Sequence, residues 1–186
     1  MKRSVIFDLD GRAELIENFA PGGLSDQINE AIEWKQYSGK LFGKKVLYPR
    51  LNAYYGDKPY EYSGTRHEPE GFPKAIAGLK RKVEELAEFR FNAALLNYYR
   101  DGSDHLGWHS DGEKTLDTSL IASLSLGASR VFKFRYKKDR SIIHSVTLDD
   151  GSLVFMRDCQ EHWHHQVPKT SKTLGPRINI TFRRMI

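Results

Sequence analysis

Apolar residues recur at helical spacing in two stretches of the chain. In "LSDQINEAIEWKQY", residues 24 to 37, Leu24, Ile28, Ala31 and Ile32 fall on one face, with Ser25 and Asp26 near the N-terminal end. The second stretch follows Pro73, where "PKAIAGLKRKVEELAEF" spaces Ile76, Leu79, Val83 and Leu86 by three, four and three and leaves Lys and Glu on the other face. Both read as amphipathic helices.

After residue 90 the texture changes. "FNAALLNYYR", "SLIASLSLG", "RVFKFRY", "IIHSVTL", "GSLVFMR", "HQV" and "RINITFRR" are short β-rich runs, separated by the turn signals "RDGSD", "LGAS", "KKDRS" and "DDG". Many short strands with no helix between them predict a β-sandwich or jelly roll rather than a parallel α/β sheet. The two helices, both in the N-terminal half, are expected to buttress one sheet of this mainly β, α+β fold. Residues 40 to 72, rich in Tyr, Gly and Pro, read as hairpins and long loops, segments that often carry recognition. No internal repeat stands out.

Length and charge narrow the picture further. A chain of 186 residues buries a sizeable core without disulfides, and it is expected to form one domain over 1–186. Cys159 is the sole cysteine, so no internal disulfide forms, and "MKRSVIFDLDGRAELIENF" meets charges too soon for a secretion signal. A cytoplasmic protein, or a nuclear one in a eukaryote, is expected. No run reaches the roughly 18 apolar residues of a membrane helix, so no membrane partner is expected. The net charge of +5 and a pI near 9.2 fit an anionic partner such as nucleic acid. The runs "GKLFGKK", "KRK" and "RYKKDR" equally fit solvated faces.

Candidate chemistry begins at "HLGWHSDGE". On a strand, His109 and Asp111 project to the same face because the period is two, so both can meet one metal ion. A third ligand would come from "EHWHHQVP", which offers His162, His164 and His165. Two histidines and a carboxylate with positions left open form the facial triad of non-heme Fe(II) oxygenases. An ordinary polar surface strand is the alternative. In "GPRINITFRR", Arg177, Asn179, Thr181 and Arg183 alternate with Ile178, Ile180 and Phe182, which puts one polar face on a strand of the β core. Two inward arginines invite a dicarboxylate, because guanidinium groups pair bidentately with carboxylates. An edge strand with its polar face in water is the competing reading.

Taken in order, Asn-x-Tyr at 97 to 99, His-x-Asp at 109 to 111, a distal His before a Pro and Arg-x-Asn-x-Thr-x-Arg at 177 to 183 resemble the AlkB family. These are Fe(II)/2-oxoglutarate-dependent nucleic-acid dealkylases, and the likeness is greatest to members that repair double-stranded DNA. It runs from about residue 40 to the C-terminus. The resemblance implies a double-stranded β-helix, or jelly roll, with 90–186 as catalytic core and 40–72 as nucleotide-recognition hairpins. It implies Fe(II) held by His109, Asp111 and His165, the last chosen because the family ligand stands three residues before the proline. It implies 2-oxoglutarate held by Arg177 and Arg183, with Asn97, Tyr99 and Thr181 hydrogen-bonding to it. Arg177 is assigned the far carboxylate and Arg183 the metal-bound one, an order the sequence leaves open.

On the substrate side, the resemblance makes Tyr60 and Tyr62 the pair that grips a flipped base, a role that needs flat side chains near the metal. Phe42 in "LFGKK" is the candidate wedge into the duplex, and Arg50 in "YPR" a phosphate or orphan-base contact. The chain departs from the family at Gly112, where relatives carry a second acidic residue; Glu113 is the candidate substitute, and the preferred lesion is thereby open. The short segment before the hairpin fits a compact, microbial enzyme. The implied activity is oxidative dealkylation of N1-methyladenine or N3-methylcytosine in DNA by a monomer, with 2-oxoglutarate and O₂ consumed and succinate, CO₂ and formaldehyde released. Rival readings are the same chemistry on alkylated RNA or a small molecule, a noncatalytic nucleic-acid-binding module, and a Zn²⁺ hydrolase, which would leave Arg177 and Arg183 without a role.

Overall fold

The computed structural model describes the backbone at residues 1–41, 44–62 and 65–186 and the side chains at residues 1–39, 46–59 and 68–186. Along the chain run β1 (Lys2–Asp8), β2 (Arg12–Glu17), α1 (Leu24–Ala31), β3 (Ser38–Leu41), β4 (Lys44–Leu47), β5 (Leu51–Gly56), β6 (Tyr60–Tyr62), β7 (Thr65–His67) and α2 (Lys74–Ala87). There follow β8 (Ala93–Tyr99), β9 (Leu106–His109), β10 (Leu116–Gly127), β11 (Arg130–Tyr136), β12 (Ile143–Leu148), β13 (Leu153–Arg157), β14 (Trp163–Val167) and β15 (Arg177–Met185). Seven strands form one antiparallel sheet in the order β1-β2-β13-β10-β15-β8-β5, and four form a second in the order β12-β11-β14-β9. Two separate hairpins, β3-β4 and β6-β7, occupy the region rich in Tyr, Gly and Pro.

Both faces of the larger sheet are covered, one by an apolar layer alone and the other by apolar residues around a buried polar row. One face packs against the helices, so that Ile28 of α1 and Ile76, Leu79 and Val83 of α2 share a core with Leu96, Leu124, Ile178, Ile180 and Phe182. Full burial of each such side chain stabilises the fold by about 1.5–3 kcal/mol. The opposite face meets the smaller sheet through Leu95, Tyr99, Ile121, Phe132, Phe134, Trp163 and Val167. The jelly-roll expectation and the buttressing role of the helices are both met.

One helix is shorter than expected, and a hairpin forms where no element was expected. The first helix ends at Ala31, six residues before the end of the stretch read from periodicity, because the backbone of Lys35 pairs in both directions with Asn52 of β5 and draws the chain out of the helix. Ile32 is extended (φ −114°, ψ 131°) yet buried, whereas Ala31 is exposed. Residues 2–17, which carry no clear period, form the β1-β2 hairpin at the edge of the larger sheet. Its turn uses positive φ at Asp10 and Gly11, and a Cβ at Gly11 would stand 2.6 Å from the Asp158 carbonyl oxygen. The inward polar face expected of β15 is met and the edge-strand alternative is not: β15 lies between β10 and β8, bonded on both sides.

Candidate metal and dicarboxylate site

The central position of β15 decides the environment of its polar row. Ile178, Ile180 and Phe182 face the helices, so alternation turns Arg177, Asn179, Thr181 and Arg183 towards the smaller sheet, where all four are buried. Asn97 and Tyr99 lie opposite Asn179 and Arg177 on β8, and Ser123 and Ser125 flank the row on β10. The Asn97 amide donates to Asn179 Oδ1 at 3.4 Å, Thr181 Oγ1 donates to the same oxygen at 3.0 Å, and the Asn179 amide donates to Ser123 Oγ at 2.7 Å. Such a polar network persists in a dry interior only when its members satisfy one another.

The arginines at the two ends of the row are placed differently. Arg177, 1% exposed, donates from Nη2 to Ser125 Oγ at 2.7 Å and lies with its guanidinium carbon 5.1 Å from the centre of the Tyr99 ring. Its Nε and Nη1 are buried without a hydrogen-bond partner, and burial pushes its pKa down to about 10. A buried cation with donors to spare fits a carboxylate ligand. Arg183 donates from Nη2 to Asp111 Oδ2 at 2.9 Å, an ion pair with both partners buried.

Asp111 belongs to the second group that the fold assembles. His109 ends β9, His165 lies opposite it on β14, and ligand atoms of His109, Asp111 and His165 all fall within 4.8 Å of one another. His109 donates from Nδ1 to the Gly107 carbonyl at 2.8 Å, which leaves Nε2, 3.8 Å from Asp111 Oδ1, as the free ligand atom. Burial lowers the pKa of His109 and takes that of His165 down to about 3, so both imidazoles stay neutral. For Asp111 burial acts in the raising direction, but the Arg183 guanidinium beside it holds the carboxyl below its ordinary value. Asp111 Oδ1 is buried with no hydrogen-bond partner. Two neutral imidazoles, an ionised carboxylate and an orphaned carboxylate oxygen make a donor set suited to a divalent metal ion.

His109 and Asp111 do not share a strand, contrary to expectation. β9 stops at His109, and Asp111 follows outside the ladder, where its backbone N–H donates to Gln160 Oε1 at 3.0 Å. His164 occupies the opposite face of β14 from His165, and His162 precedes the strand.

The metal triad, Asn97, Tyr99, Asn179, Thr181, Arg183 and Arg50 line one cavity. Arg50 is therefore not placed for a duplex phosphate or an orphan base: it is 4% exposed, and its Nε donates to Asn97 Oδ1 at 2.8 Å, an oxygen shared with the Asn52 amide at 2.7 Å. Its position after a Pro in a Tyr-rich stretch reads as surface, but β5 carries the neighbouring residues into the larger sheet. Glu113 is half-buried and stands outside the cavity lining. Phe42 lies outside the described residues, as do the side chains of Tyr60 and Tyr62, whose backbone forms β6. Sequence reasoning missed Asn52, Ser123, Ser125 and Gln160. The serines had a signal, since they alternate along a strand that otherwise reads as core; Gln160 had none.

Comparison with known proteins agrees with this geometry. Residues 21–183 match the model of the 2OG-Fe(II) oxygenase superfamily. The chain is 34% identical over 194 residues to the human DNA oxidative demethylase ALKBH2, covering 96% of this chain and 71% of that one. The chain belongs to the AlkB family. It is 38% identical over 169 residues to the alpha-ketoglutarate-dependent dioxygenase alkB homolog 3 of Mus musculus, covering 85% of this chain but only 59% of the length of that relative. The solved structure of OsALKBH1 shares the fold at a TM-score of 0.71 and 16% identity, covering 97% of this chain and all of that one. Fe(II), 2-oxoglutarate and O₂ are the cofactor and co-substrates of this AlkB-family fold, and the His-Asp-His group fits the metal.

Proposed function

We propose that the protein repairs N-alkylated bases in DNA, such as N1-methyladenine and N3-methylcytosine, by oxidative dealkylation. The observation that carries the reading is the placement of the His109, Asp111 and His165 ligand atoms within 4.8 Å of one another, in one cavity with Arg183. The relatives named as a DNA oxidative demethylase and an alpha-ketoglutarate-dependent dioxygenase support the choice of chemistry. Bound together, Fe(II), 2-oxoglutarate and O₂ supply an oxidation of the alkyl carbon, with release of succinate and CO₂. A hydroxylated N-methyl group then leaves the base as formaldehyde, which avoids displacing a poor leaving group from an unactivated carbon.

In this reading the chain's residues hold and orient. His109, Asp111 and His165 hold the metal, and three protein ligands leave positions for co-substrates. Arg183, tied to Asp111, takes the carboxylate nearer the metal; Arg177, under Tyr99 with two unpartnered donor nitrogens, takes the far one, with Asn97, Tyr99 and Thr181 as hydrogen-bonding neighbours. Arg50 serves this co-substrate pocket through Asn97. Tyr60 and Tyr62 grip the flipped base, Phe42 fills the gap it leaves, and Glu113 contacts the substrate beside Gly112. The net charge of +5 favours the phosphate backbone without reading sequence, as a repair enzyme requires.

The test uses an oligonucleotide bearing one N1-methyladenine or N3-methylcytosine, incubated with protein, Fe(II) and 2-oxoglutarate in air and followed by mass. Loss of one methylene unit that depends on both iron and 2-oxoglutarate is expected. No loss from DNA, with loss from a matched RNA, would move the substrate to RNA. Absence of 2-oxoglutarate turnover under all conditions would sink the reading.

A further inference from the structure

Asp111 is the one member of the His-Asp-His group that no strand holds. β9 ends at His109, so Ser110 and Asp111 are placed by side chains from elsewhere. The Asp111 N–H donates to Gln160 Oε1 at 3.0 Å, and Gln160 is only 2% exposed. The Gln160 amide nitrogen stands 3.6 Å from both Met156 Sδ and Cys159 Sγ, so the two ends of the amide are in unlike surroundings and its oxygen is turned to Asp111. Lys137, one residue past β11, closes the arrangement: its Nζ donates to Ser110 Oγ at 3.0 Å and to the Gln160 carbonyl at 2.8 Å. The backbone N–H of Lys137 donates to the His162 carbonyl at 2.8 Å, at the entry to the strand that carries His165.

These contacts tie the segment bearing Asp111 to the turn that leads into His165. We infer that Gln160 and Lys137 are positioning residues that clamp the Ser110-Asp111 segment and thereby set how tightly the His109-Asp111-His165 group holds its divalent metal ion. The inference rests on the metal-site reading above. The physical reason is that a carboxylate on an irregular segment must be fixed before the metal arrives, or binding has to offset the loss of its freedom. Partners of this kind, which touch the ligand and not the metal, typically alter metal affinity by about 10–100-fold when removed. Gln160 has a shape-matched apolar replacement in Met, and Lys137 has one in Met and a conservative one in Arg.

The experiment is titration of the metal-free protein with Mn²⁺, with free Mn²⁺ read by electron paramagnetic resonance and folding checked by circular dichroism. Wild type is expected to bind one ion and Asp111→Ala none. Gln160→Met and Lys137→Met are expected to weaken Mn²⁺ binding about tenfold or more, while Lys137→Arg stays within about threefold of wild type and all variants keep the native spectrum. A merely structural role would lower the melting temperature and leave Mn²⁺ affinity of the folded protein in place. Affinities of both Met variants within about twofold of wild type would overturn the clamp while leaving the metal site intact. Should Gln160→Met fail to fold, Lys137→Met against Lys137→Arg decides alone. If wild type and Asp111→Ala bind Mn²⁺ alike, the metal-site reading itself fails and the clamp with it.

Discussion

Arg183 and Asp111, 72 residues apart in the chain, form an ion pair of 2.9 Å with both side chains buried. One partner belongs to the polar row of β15 and the other to the His-Asp-His group, so the pair joins the two halves of the candidate site. It also explains how a wholly buried carboxyl stays ionised before any metal is present.

Removing Arg183 should therefore hurt twice. Arg183→Ala leaves the Asp111 carboxylate buried without its cation, and the metal-free protein is expected to lose about 3–5 kcal/mol of stability in denaturant melts. Saturating Mn²⁺ should restore part of that loss, because the ion binds only the folded state and neutralises Asp111. Equal stability of variant and wild type without metal would contradict the role given to the pair.

Arg130 is expected to hold the loops beside Tyr99. Its guanidinium donates to the carbonyls of Asp101 at 3.0 Å and of Asp104 and Pro168 at 2.8 Å each, and it lies over the Tyr99 ring. Arg130→Met should cost on the order of 3 kcal/mol, since charge-assisted bonds are lost and buried carbonyls are left without donors. Hydrogen exchange should rise first in residues 100–105 and 168–172. A uniform rise across the chain would show that the effect is not local.

Glu14 makes a pH prediction. Arg3, at 2.7 Å, and Arg12 hold its carboxyl below the ordinary 4.5 despite burial. A carboxyl lowered on folding contributes stability that is present above its unfolded value and fades as pH falls through its folded value. Glu14→Gln should thus cost about 1 kcal/mol at pH 7, a figure that allows for screening of the half-exposed Arg3. The difference in melting temperature should shrink below pH 4.5. A difference independent of pH would remove the ion pairs as its cause.

Cys159 should be inert in the native protein. It is buried, and burial pushes its thiol up to about 12, so the reactive thiolate is suppressed at pH 8. Intact-mass analysis after iodoacetamide at pH 8 should show no adduct on folded protein and one on unfolded protein. Rapid native labelling would mean that the turn holding Gln160 opens readily.

Periodicity alone specified both helices, most strands after residue 90 and the split of β15 into an apolar and a polar face, because which residues share a face follows from local backbone geometry. The resemblance to the AlkB family, and not periodicity, singled out His165 among three histidines, together with His109, Asp111, Arg177 and Arg183. The tertiary structure decided what each face meets. It placed β15 between β10 and β8, so a row that would be wet at an edge is dry, and it added the β1-β2 hairpin, whose charges mask its period. It ended α1 at the Lys35-Asn52 bridge, turned Arg50 inward, and left Asp111 off its strand in the hold of Gln160. Those outcomes depend on partners tens of residues away. A local pattern states which side chains travel together; only the packing of distant strands states whether water, a second sheet or a ligand lies across from them.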